Sequence, residues 1–393
     1  MDMKQIAQTL GVAEYPENFE KIYAQIANDT APACDIALIE WAQKEFEAFK
    51  KHYDLVLEGA KQINEDPIYS AWVKVVHTYL ADPKWGSFKD IKVPPLNGTP
   101  KQDMAMLMAY VPFIPSAVEK YKKGGFAHAD IAHYIQGFGN CLSSTSTRTG
   151  FVGLDTVYFR WLKLFAWAEI FTVHGIQFQF TKLKPDAMFL RNKQTGQVVP
   201  VMAAGLIHAT GKHLVGAFGF EDAEGAVEAV ITETEESFTG YGVFDSVIST
   251  KLQEFRKDQW ECIGRPGDKC IALHLPRGCD ITKENIQRAR KAAQEVIDRA
   301  YPEYQNVQYQ CASWLLDAGL EAILGPDSNI VRFGKLFARY PGKSPGRAAN
   351  SFVFPGKPVA EKDLPENSRL QRGIKQLYLN GGGTYADSGI LIL

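Results

Sequence analysis

The sequence predicts an α+β protein in two parts, a helical domain over 1–154 and a mixed α/β domain over 155–393. Two observations carry the division. Up to about residue 165 the apolar residues recur at three- and four-residue steps, the spacing of a helix stripe. Beyond it, short alternating runs are separated by glycine-bearing turns, as strands are. A chain of 393 residues is long enough for two domains, and it shows no internal repeat.

Residues 36–63 set Ile36, Ile39, Ala42, Phe46 and Phe49 on one stripe. The stretch 68–81 repeats the pattern and stops before Pro83, where a Pro/Gly-rich loop running through PPLNGTP follows. Helical spacing returns at 102–111, 115–123 and 127–137, and MAMLMAY (104–110) reads as core or interface. The Gly/Ser/Thr-rich segment 138–153 reads as a connection, and Asp155 is placed to cap the aromatic helix DTVYFRWLKLFAWAEIF. HGIQFQFTKL then alternates. AMFLRN and QVVPVMA flank KQTG as a hairpin, and KHLVGAFGF and AVEAVITETEE flank EDAEG as a second. Strand CIALHLP, helix ITKENIQRARKAAQEVIDRA and strand VQYQCASWLL come next. Short helices at 317–324 and 327–339, a strand SFVF, a helix SRLQRGIKQLYLN and a strand SGILIL complete the chain.

Composition removes several classes of function. Lys plus Arg number 43 against 45 Asp plus Glu, a net charge of −2, without the basic excess of a nucleic-acid binder. No apolar run approaches the roughly 20 residues that span a bilayer. The start MDMKQIAQTLGVAEY lacks the basic and apolar regions of a signal peptide. Six cysteines without a CxxC pair suit reduced thiols, and the expected location is cytoplasmic. His128 and His133 are five apart, about 140° around a helix, so they form no metal pair. His208 and His213 flank a turn with no acidic or thiol cluster nearby, and no metal is expected. GxSxG, GxxxxGK(S/T) and a strand-to-helix GxGxxG are absent.

Chemistry concentrates at 270–284, CIALHLPRGCDITKE, which reads as strand, short loop and helix. A helix N-terminus offers unpaired N–H groups and partial positive charge, so it can hold a phosphate. The candidate binding residues are Leu275, Arg277, Gly278, Cys279 and Asp280: Gly278 permits close approach of the backbone, and Arg277 adds a charged contact. Capping of the helix by Asp280 or Thr282 accounts for the same sequence without a ligand. Alternation puts Ile271, Leu273 and Leu275 on one face of the strand and Cys270, Ala272 and His274 on the other. Small residues beside His274 leave room for a ligand, while a packed strand histidine is the plainer alternative. On the next strand Tyr309, Cys311 and Ser313 share a face; if the two strands are neighbours, these residues and His274 would line one cleft.

GDKCIALHLPRG, CASWLLD (311–317), PDSNI (326–330) and ENSRLQRGIKQLYLNGGG, with TGYGV, DQWECI and RPGD upstream, resemble a bacterial family. It comprises two-domain acyltransferases with a helical N-terminal domain and a GNAT-like C-terminal domain. The family's arginine-rich junction is replaced here by FTVHGIQF, and the usual Gln/Arg-x-x-Gly-x-Gly loop by the shorter PRGCD. The resemblance implies an acyl-CoA cosubstrate lying between parallel strands 270–275 and 307–314, its pyrophosphate on the helix starting near Asp280. It further implies acyl transfer to a small-molecule amine or hydroxyl acceptor; the charge balance and the short apolar runs leave neither nucleic acid nor membrane as the expected partner. His274 is then the first candidate base and Asp317 the second, with Tyr309 or Ser313 as acid or orienting group. Asp317 also suits a helix cap, and Arg332 and Arg372 suit either a CoA phosphate or surface ion pairs. Cys311 or Cys279 as nucleophile, a thioester hydrolase, and a non-catalytic ligand-binding or scaffold protein are the competing readings.

Overall fold

The computed structural model describes residues 2–276, 278–354 and 359–393. Its contacts divide the chain into two compact units, 1–171 and 172–393.

The first unit is helical. It contains α1 (Met3–Thr9), α2 (Asn18–Ile26), α3 (Ile36–Phe46), α4 (Tyr53–Glu65), α5 (Pro67–Ala81) and α6 (Pro100–Met108). α7 (Ile114–Lys123), α8 (His128–Ile135), α9 (Gly137–Thr149) and α10 (Thr156–Ala166) follow. Local chemistry sets several starts: Asp35, Asp66 and Asp155 each accept a backbone N–H of the first turn, and Pro67 stands where no N–H is required. The stripe over 36–63 is two helices, because Glu47 takes a left-handed φ of 53° and closes α3. Met104 to Met108 are all buried core. α10, which the sequence division assigns to the second part, packs on α7, α8 and α9.

The expected connection at 138–153 is instead mostly α9. Its small residues serve close packing: a Cβ on Gly137 would sit 2.6 Å from the Phe165 ring, and one on Gly139 2.9 Å from the Phe49 carbonyl carbon. Composition therefore mimics a loop where two pieces of backbone approach each other.

The described residues of the second unit carry two large sheets and a small one of β5 and β6. Strands β1 (Ile170–Val173), β2 (Ile176–Lys182), β3 (Ala187–Asn192), β4 (Val198–Met202), β5 (Leu206–Ile207) and β6 (Val227–Glu228) come first. β7 (Ile231–Glu233), β8 (Ser237–Phe244), β9 (Val247–Ile248), β10 (Gln253–Arg256), β11 (Trp260–Gly264) and β12 (Lys269–His274) lead to α11 (Lys283–Ala300) and β13 (Gln308–Ser313). Then come α12 (Leu320–Leu324), α13 (Asn329–Gly334), β14 (Phe337–Tyr340), α14 (Asn350–Val353), α15 (Arg369–Leu379) and β15 (Asp387–Leu391). One sheet is six-stranded in the order β1-β2-β12-β13-β15-β14; the other is seven-stranded, β10-β8-β4-β3-β11, with β7 and β9 also pairing β8.

The hairpin around KQTG is β3–β4. The second expected hairpin is not formed: Gly211, Gly216 and Gly219 take left-handed φ, turning the chain repeatedly, and the AVEAVITETEE stretch pairs elsewhere, β6 with β5 and β7 with β8. The helix expected over 327–339 ends at Gly334, since Phe337–Tyr340 joins the sheet beside β15. SFVF is a helical turn, α14. On one face of the six-stranded sheet Phe178, Phe180, Ile271, Leu273 and Tyr309 are buried, as are Ile286, Ala289, Ala293 and Ile297 along α11. On the other, Cys270, Ala338, Tyr340 and Ile390 form one core with Phe189, Met202 and Val243 of the second sheet.

Candidate functional site

β12 and β13 run parallel, with Cys270 opposite Gln308, Ile271 opposite Tyr309 and Ala272 opposite Gln310, and the ladder stops there. Each strand nevertheless stays bonded to its outer neighbour further along, β12 to β2 as far as His274–Gln177 and β13 to β15 as far as Ser313–Asp387. The two central strands therefore part at their carboxyl ends. Residues 273–274 and 311–313 flank a wedge that no rung of the ladder crosses.

The chain leaving β12 turns into α11. Thr282 caps the helix by accepting from the Asn285 N–H (3.4 Å), and Asp280 Oδ1 accepts from the Thr282 N–H (2.9 Å), which lowers the Asp280 carboxyl pKa. Buried Asn285 donates to the carbonyls of Asp280 (2.7 Å) and His174 (3.2 Å), tying the loop to the β1–β2 turn. Gly278 is exposed with φ of 81°, where a β-carbon would be strained. At the start of α11 lies a cleft of about 300 Å³ lined by Ile281, Thr282, Lys283, Glu284, Asn329, Arg332 and Leu336. Lys283 and Arg332 bring positive charge to it beside the positive end of an 18-residue helix, set against Glu284 in the lining and Asp327, whose carboxylate pairs with Arg332 at 2.8 Å.

The register divides the other candidates between two faces. Ile271 faces the same way as Tyr309, so His274 lies on the face opposite Tyr309, Cys311 and Ser313. The single cleft expected from sequence is not formed. Tyr309 is buried towards α11, its hydroxyl donating to Gln294 Oε1 (3.3 Å) with the Phe178 ring 6.1 Å away, and burial pushes it up to about 12. Cys311 is buried on that side and likewise pushed up to about 12. Ser313 Oγ accepts from the Leu315 N–H (3.2 Å), capping the turn 314–316. Asp317 is buried and accepts from the N–H groups of Gly319 (2.8 Å) and Tyr385 (2.9 Å), while burial raises its carboxyl. Leu275 and Cys279 are half-buried in the loop, where burial raises the Cys279 thiol; Arg277 lies outside the described residues.

His274 sits at the edge of the wedge. Its Nε2 hydrogen-bonds Gln179 Oε1 at 2.7 Å, which sets the proton on Nε2 and the lone pair on Nδ1. Burial holds the imidazole down to about 4, so it is neutral at ordinary pH. Gln177 stands opposite it on β2, and across the wedge, on the same face of the sheet, lie Ala312 and its partner Ser388; Ala312 is exposed and Gln177 half-buried. The alternation of Gln177 and Gln179 through an otherwise apolar strand is the sequence signal for this polar face. Asp387, cross-strand from Ser313, has no such signal; it is buried, and burial followed by the Asp317 charge pushes it up to about 7.

These titrations make stability depend on pH. His274 and the half-buried His213, which stacks on Tyr385 at 4.0 Å, both fall from 6.5 to about 4 on folding, mainly through burial. Their contribution is present above 6.5 and lost as pH falls through 4. Asp387, raised from 3.8 to about 7, acts oppositely: its contribution is present below 3.8 and lost as pH rises through 7. Two histidines outweigh one carboxyl, so urea unfolding at pH 7 and pH 4 should show a net loss on the order of 2 kcal/mol on acidification. His274→Asn should shrink that loss; stability that rises steadily down to pH 4 would contradict the assignment.

Among the described residues, no three or more His, Cys, Asp or Glu come together as a metal-holding group, and no helix is long and apolar enough to cross a membrane. A mixed sheet whose central parallel strands part above the N-terminus of their connecting helix is a GNAT-like architecture. Residues 172–391 match the GNAT-like C-terminal domain family, and the chain belongs to it. Solved structures extend the likeness in fold to the whole chain. An acyltransferase in complex with decanoyl-CoA and teicoplanin is 14% identical with a TM-score of 0.62, over 100% of this chain and 99% of the other. An acyltransferase in complex with decanoyl-CoA gives 14% and 0.62 over 100% of both chains. A mutant acyltransferase in complex with octanoyl-CoA gives 14% and 0.62, over 100% and 99%. No curated protein matches the sequence.

Proposed function

We propose that the protein transfers an acyl group from a CoA thioester directly to an amine or hydroxyl acceptor. The observation that carries this is the parting of β12 and β13 beside the start of α11. The cleft at Lys283 and Arg332 suits the CoA phosphates, and the wedge suits the pantetheine arm and thioester. Structures of like fold hold decanoyl-CoA and octanoyl-CoA, which supports a CoA thioester as donor.

In this reading, strand N–H groups at the wedge stabilise the oxyanion, and holding donor and acceptor together lowers the entropic barrier. The acceptor nitrogen or oxygen bonds to the thioester carbon while its proton passes to His274. The C–S bond then breaks, and the CoA sulfur leaves, taking up a proton to become the thiol. The neutral, half-buried imidazole at the wedge favours His274 as base; Tyr309, held against α11, and Asp317, held by two backbone N–H groups, act in positioning the strands.

Isothermal titration with CoA and octanoyl-CoA tests the donor site. Micromolar binding is expected, weakened at least roughly tenfold by Lys283→Glu with Arg332→Glu and by raised salt, because the contacts are with phosphates. Absence of binding by either compound would remove the transferase reading and leave a scaffold or a different ligand.

A further inference from the structure

The polar face beside His274 contains a cation that the donor site does not use. Lys184 follows β2, is exposed, and forms no ion pair with a carboxylate among the described residues. Its backbone N–H donates to Gln310 Oε1 (3.4 Å) and its Nζ to Ser388 Oγ (3.1 Å). Gln310 and Ser388 lie on the face of His274: Gln310 is opposite Ala272, and Ser388 is opposite Ala312. The Lys184 ammonium is thus brought over the sheet to Ser388, across the wedge from His274 and Gln177. Exposed Ala312 leaves the space between them open. From His274 to Ser388 is more than the roughly 10 Å of two paired strand steps, because the wedge lies between His274 and Ala312.

We propose that Lys184 is a specificity-determining residue, and that the acceptor is an amine carrying a carboxylate or similar anionic group at least roughly 10 Å from its nucleophilic nitrogen. The proposal rests on the transferase reading above, with the nitrogen at His274 and the anion on Lys184. The Ser388 hydroxyl offers a neutral hydrogen bond between the two ends, which suits a polar chain there. An ammonium whose bonded partner is a hydroxyl keeps donors for an incoming anion, and the charge-assisted bond is formed only by acceptors that carry one.

The test is calorimetric titration of the full chain, saturated with CoA, with 8-aminooctanoate and with 8-aminooctanamide, which differ at the carboxylate alone. The acid should bind roughly tenfold tighter than the amide, and salt should erode the difference. Lys184→Gln should abolish the preference while leaving CoA affinity unchanged, and Lys184→Arg should restore it. Equal binding of acid and amide by the wild type, or a preference that survives Lys184→Gln, overturns the proposal. Should CoA itself fail to bind, the transferase reading falls; the same pair titrated into the unliganded protein still decides whether Lys184 holds an anion.

Discussion

Replacing His274 by alanine is expected to lower turnover by roughly 10²–10⁴-fold, the usual contribution of a positioned base, with octanoyl-CoA affinity unchanged. The separation of the two effects follows from the geometry. The imidazole lies beside the wedge, bonded to Gln179, whereas the cleft proposed for the CoA phosphates is built from the start of α11 and from α13. The pH profile provides a second readout. Burial holds His274 down to about 4, so activity should rise through that pH and stay level from about pH 5 to 8. A half-point near 6.5 would point to a solvated group, and normal turnover by the variant would remove His274 from the chemistry. Gln179→Leu should move the profile without abolishing activity, because it removes the bond that fixes the tautomer.

Gly139→Val is expected to destabilise the helical unit by about 3 kcal/mol, the upper end for overpacking. The Gly139 N–H donates to the Ala48 carbonyl at 2.8 Å, and a Cβ would stand 3.0 Å from that oxygen and 2.9 Å from the Phe49 carbonyl carbon. Neither neighbour is the end of a flexible side chain, so the relief must come from separating α9 from the 47–52 turn. Gly139→Ala should cost less, because alanine's better helix propensity offsets part of the clash. Urea midpoints of the two variants check the order; a Val variant as stable as wild type would mean that α9 shifts freely.

The same glycine shows where the sequence was legible and where it was not. Periodicity is a local signal, and it located β12, α11, β13 and the β3–β4 hairpin. Helix α9 was hidden because its small residues answer to a distant backbone, and nothing near 139 in the sequence reports residues 48 and 49. The KHLVGAFGF segment failed for a different reason: its alternation resembles a strand, but its glycines adopt left-handed φ and fold it into turns. At the site, the loop, the helix start and His274 could be named from sequence because each is defined by close neighbours. The division of His274 from Tyr309 depends on the β12–β13 register, a relation across 38 residues that alternation within one strand does not encode. Asp387 accepts from the Gly342 N–H, 45 positions away, and feels the charge of Asp317, while Lys184 bonds Ser388, 204 positions away.

The cysteines give the loop between β12 and α11 a chemical handle. Cys34, Cys141, Cys270 and Cys311 are buried, and Cys262 and Cys279 are half-buried. A thiol sealed in the core is inert to alkylating reagents, whereas a partly exposed one reacts once it ionises. With Cys262 replaced by serine, Cys279 is the remaining half-buried thiol among the described cysteines, and it stands in the loop between the wedge and the start of α11. A fluorophore attached there would sit beside the start of α11, where the proposed function places the CoA pyrophosphate, and would give that proposal an optical readout.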